Sequence, residues 1–338
     1  MKADIEHGLK TTVLTGFSDP RVGRDAWNAL ATRGSPGSVF STHEWSSAWW
    51  STYGRGRLLL IAAERNDEII AIAPFFIDER MVYLVGAGGS DYLDLIGAPD
   101  RHTVSALLER AFAAEPDLLG MQMHLVPDSS STGSSLSEAA AALGITLYDE
   151  GDLVAPRLDL ASDPTIVEAA LRKKSLVRHE NHFRRTGELR TVHSRDSEEI
   201  LEQLDPFFEQ HVERWSGTPH PSLFTEDAHR RFYRTLVEEA RDAGWLRFTR
   251  VEWDGRPIAF HLGFCHDGTY LWYKPSFAID LARNSPGEVL LKHLLHAAVE
   301  EGAATFDFGI GDETFKRRFA TEILSVRTWG LYPKGASG

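Results

Sequence analysis

Two stretches of the chain show the same succession of apolar runs and short polar turns. The first, residues 57–86, reads RLLLIAAERNDEIIAIAPFFIDERMVYLVG, and the second, residues 245–274, reads WLRFTRVEWDGRPIAFHLGFCHDGTYLWYK. Short apolar runs bounded by Asn, Asp and Gly are typical of strands joined by tight turns, so each stretch is predicted to form three strands. Aligned without gaps, Glu64 falls on Glu252.

The same order of elements continues after each stretch. A predicted helix at 103–115 and a strand at 120–127 follow the first, and a leucine-rich helix at 286–302 and the strand-like TFDFGIG follow the second. This repeated order indicates a duplicated unit. The predicted fold class is α/β, with tandem duplicated domains, each a mixed, mostly antiparallel sheet flanked by helices.

The boundary between the two domains is predicted near residue 162. Asp163 is a favourable N-cap, and Pro164 would occupy the first position of a new helix. A chain of 338 residues is also long for a single core. We therefore expect an N-terminal domain at 1–161 and a C-terminal domain at 162–338, the second carrying the active site.

Composition indicates a globular protein that does not cross a membrane. Apolar residues make up 42% and charged residues 25%, and no segment approaches ~20 uninterrupted apolar residues. The start, MKADIEHGLK, has no signal-peptide core, and Cys265 is the only cysteine, which together favour a cytoplasmic location. The 49 acidic against 36 basic residues give a charge of −13, which argues against general nucleic-acid binding.

One local exception to the acidic balance is the basic run LRKKSLVRHENHFRR, residues 171–185. Such a run is more often a solvated helix face than a binding surface. His179 and His182 stand three apart within it, but the neighbouring arginines would repel a metal dication, so we predict no metal site. The sequence also lacks GxxxxGK[ST], HExxH, paired CxxC and GxSxG, which argues against nucleotide hydrolysis, zinc catalysis and serine-esterase chemistry.

The helix start at Ser285 allows two interpretations. Ser285 and Glu288 have the spacing of a capping box, and Pro286 would take the favoured first helical position. Alternatively, the free N–H groups and partial positive charge of the helix end could hold a phosphate, with Gly287 allowing the ligand to approach the backbone. The residues alone leave capping and phosphate binding open.

Two side chains are candidates for acid-base chemistry. In PIAFHLGFC, His261 shares its strand face with small residues such as Gly263, which predicts a hollow where the imidazole could take a proton. Asp307 lies between Phe306 and Phe308, so on a strand it points away from both rings and could accept hydrogen bonds from an amine. The alternatives are a hydrogen-bonded histidine without a chemical task and an aspartate that caps the next turn.

Three C-terminal motifs carry a resemblance to a known family. YKPSFAID (273–280), ARNSPGEVLL (282–291) and FDFGIGDETFKRRF (306–319) together resemble the CelD-like, or BioF2-like, acetyltransferase branch of the GNAT superfamily, related to Fem-type aminoacyl transferases. VFSTHEWSSAWWSTYG also looks like the opening of these proteins, so the resemblance spans about 38–333. It implies two GNAT-like domains and direct transfer of an acyl group from acyl-CoA to an amine.

The resemblance also implies where the substrates bind. The thioester would enter between the strands that carry TYLWYKPSF and TFDFG, and the pyrophosphate would lie at the helix that begins at Pro286. The implied cofactor contacts are Tyr273, Arg283, Ser285, Pro286 and Gly287. The loop RNSPGE departs from the superfamily pattern [QR]-x-x-G-x-[GA], because its glycine comes one place late and Glu288 stands last.

The chemical roles follow by the same analogy. His261 or Asp307 would deprotonate the amine, and Asp312 would contact the acceptor. Phe315 stands where many relatives have a tyrosine and has no proton to give, so Lys316 or a water would protonate the thiolate, unless it leaves unaided.

Three functional hypotheses follow. The leading one is an N-acyltransferase that moves an acyl group from acetyl-CoA or a longer acyl-CoA to a small-molecule amine or amino sugar, in a biosynthetic pathway and without a metal. The second is Fem-type transfer from aminoacyl-tRNA, with the basic run contacting RNA. The third is a binding module without turnover, which the departures at Glu288 and Phe315 would support.

Overall fold

The computed structural model describes residues 8–34 and 38–333. The chain divides into two compact units, one comprising the residues up to Ala155 together with those from Leu324 onward, and the other Pro156–Ile323. The sequence analysis had assigned everything from 162 onward to the second domain. The structure differs because residues 324–333 form a strand of the first unit, where they complete its sheet.

Unit 1 is a sheet with helices. Its elements are β1 (Leu9–Val13), α1 (Arg24–Ala31), α2 (His43–Tyr53), β2 (Arg57–Arg65), β3 (Glu68–Asp78), β4 (Met81–Leu84), β5 (Ile96–Gly97), α3 (Arg101–Phe112), β6 (Gly120–Pro127), α4 (Ser131–Ala142), and parts of β7 (Ile145–Asp159) and β13 (Glu322–Pro333). The strand order β1-β2-β3-β4-β6-β13 is antiparallel except for the parallel pair β4–β6, and β5 pairs with β3.

Unit 2 repeats this arrangement. Its elements are α5 (Pro164–Leu171), α6 (Lys174–Thr186), β8 (Leu189–Ser194), α7 (Ser197–Trp215), α8 (Asp227–Glu239), β9 (Leu246–Trp253), β10 (Arg256–His266), β11 (Thr269–Phe277), α9 (Pro286–Glu300), β12 (Thr305–Asp307) and α10 (Thr314–Arg317). The order β8-β9-β10-β11-β12 ends on residues 157–159 of β7, and only β11–β12 is parallel. The predicted α/β fold, with a mostly antiparallel sheet flanked by helices, is confirmed.

The predicted hairpins coincide with the observed ones. β3 and β10 begin at residues 68 and 256 and end at 78 and 266, an offset of 188 in each case. Tight two-residue hairpin loops of the favoured type need positive φ at both central residues, for which Asn, Asp and Gly are best suited. The loop residues with positive φ are Asn66, Asp67, Glu79, Arg80, Asp254, Gly255, Asp267 and Gly268.

Helix α9 is anchored by the apolar stripe that the sequence predicts. The buried stripe comprises Val289, Leu290, Leu294, Ala297 and Ala298. Full burial of one leucine contributes roughly 1.5–3 kcal/mol, so this stripe fixes the helix on the sheet. Gly302 ends the helix at φ 71°, and the N–H of Ala303 donates to the carbonyl of Ala298 at 2.9 Å, as predicted for a glycine cap.

The two faces of the unit 2 sheet carry different helices. On β10, Phe260 makes ring contact with Phe207 of α7, while its neighbour Ala259 packs in the cluster that contains Leu290 of α9. Consecutive strand residues point to opposite faces. One face is therefore covered by α7, with α8 packed against it, and the other by α9, against which α6 packs.

Two irregularities shape the end of β11. Its pairing with β12 stops at Leu271 and Asp307, while β11 continues to Phe277. Against β10 the register shifts, so that Trp272 and Tyr273 together oppose the single residue Gly263. This is a β-bulge, which bends a strand and redirects its side chains. Beyond Leu271, β11 therefore continues without β12 as a partner, up to Phe277, whose ring lies against Gly287 at the start of α9.

None of the helices in residues 8–34 and 38–333 has both the length and the hydropathy needed to cross a membrane.

The bulge leaves no room for a side chain at Gly263. A Cβ there would collide with the imidazole of His261 and lie 2.5 Å from the carbonyl oxygen of Leu271. We expect Gly263→Ala to lower the free energy of unfolding by roughly 1–3 kcal/mol, measured by chemical denaturation. Gly23→Ala is the control, because a Cβ at that position meets nothing within 4 Å. Equal stability of the two variants would contradict this account of the bulge.

Candidate active site

His261 is completely buried and completes the bulge. The backbone N–H of Tyr273 donates to its Nε2 at 3.1 Å, and the imidazole lies parallel to the ring of Trp272, with centroids 5.4 Å apart. The hollow predicted around this residue is absent, because the imidazole itself covers Gly263 and Trp272 covers the imidazole. The ring thus satisfies a buried backbone donor that the bulge leaves without a strand partner.

This hydrogen bond also fixes the protonation state of His261. Because Nε2 accepts a hydrogen bond, the neutral tautomer carries its hydrogen on Nδ1. This Nδ1 is buried without a partner among the described residues. Burial lowers the pKa of His261 to about 3. At neutral pH the imidazole is neutral, but its basic nitrogen is already engaged by Tyr273.

Asp307 is equally buried and equally engaged. Its Oδ2 accepts a hydrogen bond from Nε of Arg157 at 2.8 Å, and its Oδ1 accepts one from the N–H of Gly309 at 2.8 Å. The carboxylate therefore ties the end of β12 to β7 and closes the turn that follows. Of the two predicted alternatives, the contact to Gly309 matches the turn cap.

Lys316 holds the loop after β12. Its Nζ donates to the carbonyl of Ile310 at 2.7 Å and lies 3.0 Å from a carboxylate oxygen of Glu313. The side chain is buried, although it belongs to the short helix α10. Phe315, one residue earlier, makes ring contacts with Trp272 and Phe308, so it adds to the apolar wall of unit 2.

The start of α9 differs from the predicted capping box. Ser285 has the left-handed conformation, φ 52° and ψ 59°, and its side chain caps no helix N–H. Its carbonyl oxygen accepts from the N–H of Glu288 at 3.0 Å and from that of Val289 at 3.4 Å. The capping-box prediction is therefore wrong, while Pro286 at the first helical position is confirmed. No side chain neutralises the positive end of this helix.

Glu288 turns toward cationic groups instead of folding back. One carboxylate oxygen lies 3.3 Å from the guanidinium of Arg318, and the other lies 3.8 Å from Nε2 of His179 on α6. Arg318 also donates to the hydroxyl of Ser175 at 3.0 Å. The negative charge of Glu288 is thus partly compensated by Arg318.

The N-terminus of the corresponding helix of unit 1, α3, is capped. Asp100 caps α3, its Oδ1 accepting from the N–H and the hydroxyl of Thr103, each at 2.8 Å. Burial opposes ionisation of Asp100, but the bonds from Thr103 and Arg65 outweigh it and lower the pKa to about 2. A permanent carboxylate therefore caps the helix end in unit 1, whereas in unit 2 no side chain caps α9 and the acidic residue of its first turn, Glu288, pairs with Arg318.

The remaining predicted residues are spread along this end of unit 2. Tyr273 is buried, and its hydroxyl is 2.9 Å from that of Tyr233 on α8. Gly287 lies against the ring of Phe277, where a Cβ would come within 3.2 Å of the ring. Arg283 is exposed, and Asp312 is exposed and ion-paired with Arg317. Tyr233 lies outside the motifs and was not predicted, whereas Arg318 belongs to the motif FDFGIGDETFKRRF, although the sequence assigns it no role.

Metal ligands are not grouped in the described ranges: no set of three or more His, Cys, Asp or Glu side chains is placed to hold an ion there.

Comparison with known proteins agrees with this geometry. Residues 170–317, which lie within unit 2, match the family model described as acetyltransferase (GNAT) domain. Unit 2 is thus similar to a GNAT-type acetyltransferase domain. The predicted resemblance is thereby confirmed, and the match supports acyl transfer as the general class of reaction. A search of curated protein sequences finds no match.

Solved structures extend the likeness to most of the chain. FemX superimposes with a TM-score of 0.66 at 11% identity, covering 91% of this chain and 96% of FemX. L-PGS from Bacillus licheniformis gives 0.53 at 12% identity, with 86% and 91% covered. The C-terminal domain of a putative lysylphosphatidylglycerol synthetase from Agrobacterium fabrum gives 0.52 at 15%, with 79% and 81% covered. At these identities the likeness concerns the fold alone.

The hydrogen bond to His261 and its lowered pKa predict that the stability of the protein depends on pH. Its pKa is about 3 when folded, against 6.5 for an ordinary histidine, so below pH 6.5 the unfolded chain binds a proton that the folded chain does not. Stability should be full above pH 6.5 and fall toward pH 4, by up to about 1.4 kcal/mol per pH unit from this residue. Denaturation of His261→Gln over this range should show a shallower slope, since glutamine can still accept from Tyr273.

Other histidines also have lowered pKa values, and the comparison with His261→Gln isolates the contribution of His261. Burial also lowers the pKa of His211 to about 3 and that of His293 to about 4, and both remain in the variant. Identical slopes for the variant and the unchanged protein would overturn the assignment of a neutral, engaged imidazole.

Proposed function

We propose that unit 2 transfers an acyl group from acyl-CoA to the amine of a small molecule or amino sugar. One observation carries the proposal: the N-terminus of α9, within the GNAT-matched residues, has no side-chain cap, and its Gly287 lies against Phe277, in the part of β11 beyond its pairing with β12. A pyrophosphate is the kind of anion that such a helix end accommodates. Ser285, Pro286 and Gly287 would line its path, with Arg318 nearby.

The residues at the start of α9 fit a pyrophosphate better than the corresponding residues of unit 1 do. In unit 2 the only acidic side chain of the first helical turn, Glu288, is held by Arg318 and faces His179. In unit 1 the carboxylate of Asp100 already fills the equivalent position. We therefore assign acyl-CoA binding to unit 2 and not to unit 1.

The reaction makes modest chemical demands. The amine nitrogen forms a bond to the acyl carbon, the carbon–sulfur bond breaks, and the products are an amide, a thiolate and a proton. Close alignment of the two substrates can supply most of the rate. We propose that the thiolate leaves without a protein acid, since thiols are themselves acidic enough and Lys316 is committed to its loop.

The identity of the group that deprotonates the amine stays a prediction. The hydrogen bonds of the two candidates, His261 and Asp307, argue against either one as the base. His261 accepts from Tyr273, and Asp307 accepts from Arg157 and Gly309. We propose that both are positioning residues: His261 holds the bulged part of β11, and Asp307 holds the end of β12. The amine would then enter as the free base, or lose its proton to water.

Introducing a carboxylate at the start of α9 should close the site. Ser285→Asp would reproduce the situation of Asp100, and we expect it to weaken acetyl-CoA binding at least tenfold, about 1.4 kcal/mol, because like charges repel. Ser285→Asn is the matched neutral control and should bind normally. Isothermal titration calorimetry with acetyl-CoA measures both. Equal affinities for the two variants, or no heat from acetyl-CoA and longer acyl-CoAs, would refute the proposal.

A second candidate function is Fem-type transfer from aminoacyl-tRNA. Two observations favour it: the fold is similar to that of FemX, and α6 exposes basic side chains along its length. These exposed residues are Arg172, Lys174, Arg178, Arg184 and Arg185. Such a face could contact phosphates of RNA. Arg184 is also ion-paired with Glu180, so part of this face has a structural role.

The two functions differ in what reversal of the α6 charges should do. For transfer from tRNA, Lys174, Arg178 and Arg185 changed together to Glu should abolish RNA retention and activity. For transfer from acyl-CoA, the same triple variant should keep acetyl-CoA turnover within a few-fold. Arg184 is left unchanged to preserve its pair with Glu180. Reversal of the exposed Arg190, Arg231 and Arg241 serves as a control with the same change of net charge.

A further inference from the structure

Arg214, a half-buried residue at the end of α7, forms no ion pair with another residue in the described ranges. Its guanidinium carbon lies 4.5 Å from the ring centroid of Trp215 and 4.4 Å from that of Phe277. Its one polar contact among the described residues is a long one, 3.5 Å, to the carbonyl of Pro275. Burial lowers its pKa to about 10, and no carboxylate opposes that shift. A cation is thus withdrawn from water between two aromatic rings without a counterion.

Such an arrangement is costly unless an acceptor is supplied. The guanidinium has five N–H donors in a planar fork, which suits the two oxygens of a carboxylate or phosphate. Leaving a buried charged donor without a partner costs more than leaving a neutral one. Next to it, the indole Nε1 of Trp215 is also buried without a hydrogen-bond partner in the described part of the chain. The indole donor therefore lacks an acceptor, and the guanidinium has only the long contact to the carbonyl of Pro275.

The surroundings of Arg214 are positive. Burial, and then the charges of Lys274 and Arg214, lower the pKa of His211 to about 3, which places both cations near this histidine. Lys274 lies over the ring of Tyr273, with Nζ 4.0 Å from its centroid, and also acts on His229. One carboxylate is also present there, since an oxygen of Glu226 lies 3.9 Å from Nε2 of His229.

The position of Arg214 connects it to the proposed reaction. Its contacts Pro275 and Phe277 belong to the part of β11 beyond its pairing with β12. Phe277 also contacts Gly287 at the start of α9. Arg214 lies on α7, whereas α9 covers the opposite face of the sheet. An acceptor arriving from the α7 side would therefore meet Arg214 at the place where β11 and β12 separate.

We infer that the acceptor amine also carries an anionic group, a carboxylate or a phosphate, which binds to Arg214 beside Lys274. This inference names the class of acceptor for the proposed acyl transfer, and it rests on that proposal. The chemical class is an amino acid or an amino-sugar phosphate rather than a simple amine. The anion would supply the acceptor that Arg214 lacks and would orient the amine toward the gap between the strands.

A competition between matched acceptors tests the inference. The pairs are glucosamine 6-phosphate with glucosamine, and 4-aminobutanoate with butylamine, so each arm isolates one kind of anion. We expect at least a tenfold higher kcat/KM for one anionic member over its neutral partner, and Arg214→Gln should remove that preference mainly through KM. Arg241→Gln is the control, since Arg241 is exposed and paired with Glu198.

Direct binding provides a second readout that does not require turnover. Trp215 lies against Arg214, so an anion bound there should change tryptophan fluorescence, and Trp215→Phe should remove that change. Titration with the two anionic amines should give a saturable signal in the unchanged protein and at least a tenfold weaker one in Arg214→Gln. No saturable signal with either amine overturns the inference, as does an equal loss of activity by Arg214→Gln with anionic and neutral acceptors.

The two proposals fail in different ways. If acetyl-CoA gives no heat on titration but the anionic amines still perturb Trp215, the acyl transfer is wrong and the anion site stands. If acetyl-CoA binds and neutral amines react as well as anionic ones, the acyl transfer stands and the assignment to Arg214 is wrong.

Discussion

Much of the arrangement of unit 2 depends on one hydrogen bond, from the backbone N–H of Tyr273 to the imidazole of His261. The bulge in β11 frees that N–H inside the protein, where an unsatisfied donor costs roughly 1–3 kcal/mol. The imidazole can reach it only because residue 263 is glycine. With the bulge in place, Tyr273 contacts Tyr233 on the side of α7 and α8, and Lys274 lies beside it. The bulge thus sets which groups border the gap next to β12.

The two units share a strand order but differ at the helix that follows the hairpins. In unit 1 the helix end is satisfied by Asp100, so it has no need of an external anion. In unit 2 Ser285 takes a left-handed conformation and caps nothing, while Glu288 is held by Arg318. Duplication has therefore produced one closed and one open version of the same structural position. The family match, confined to residues 170–317, falls on the open version.

Local signals in the sequence predicted most of the fold. Turn residues with positive φ fixed the hairpins, Asp163 began α5 as its N-cap, and the leucine stripe placed α9. The site was less predictable, because its side chains choose partners that are distant in the chain. Glu288 has the spacing of a capping box yet pairs with Arg318, and Asp307 pairs with Arg157, 150 residues away. Arg214 carries no motif, and only the structure shows its half-buried position between the rings of Trp215 and Phe277.

The last strand has a consequence for how the protein is made. Strand β6 pairs on one side with β4 and on the other with β13, which the ribosome produces only after unit 2. Until then one edge of β6 stays open, and such an edge is prone to pair with other molecules. The half of the protein that is synthesised first is consequently the half that completes its sheet last, after the whole of unit 2 has emerged.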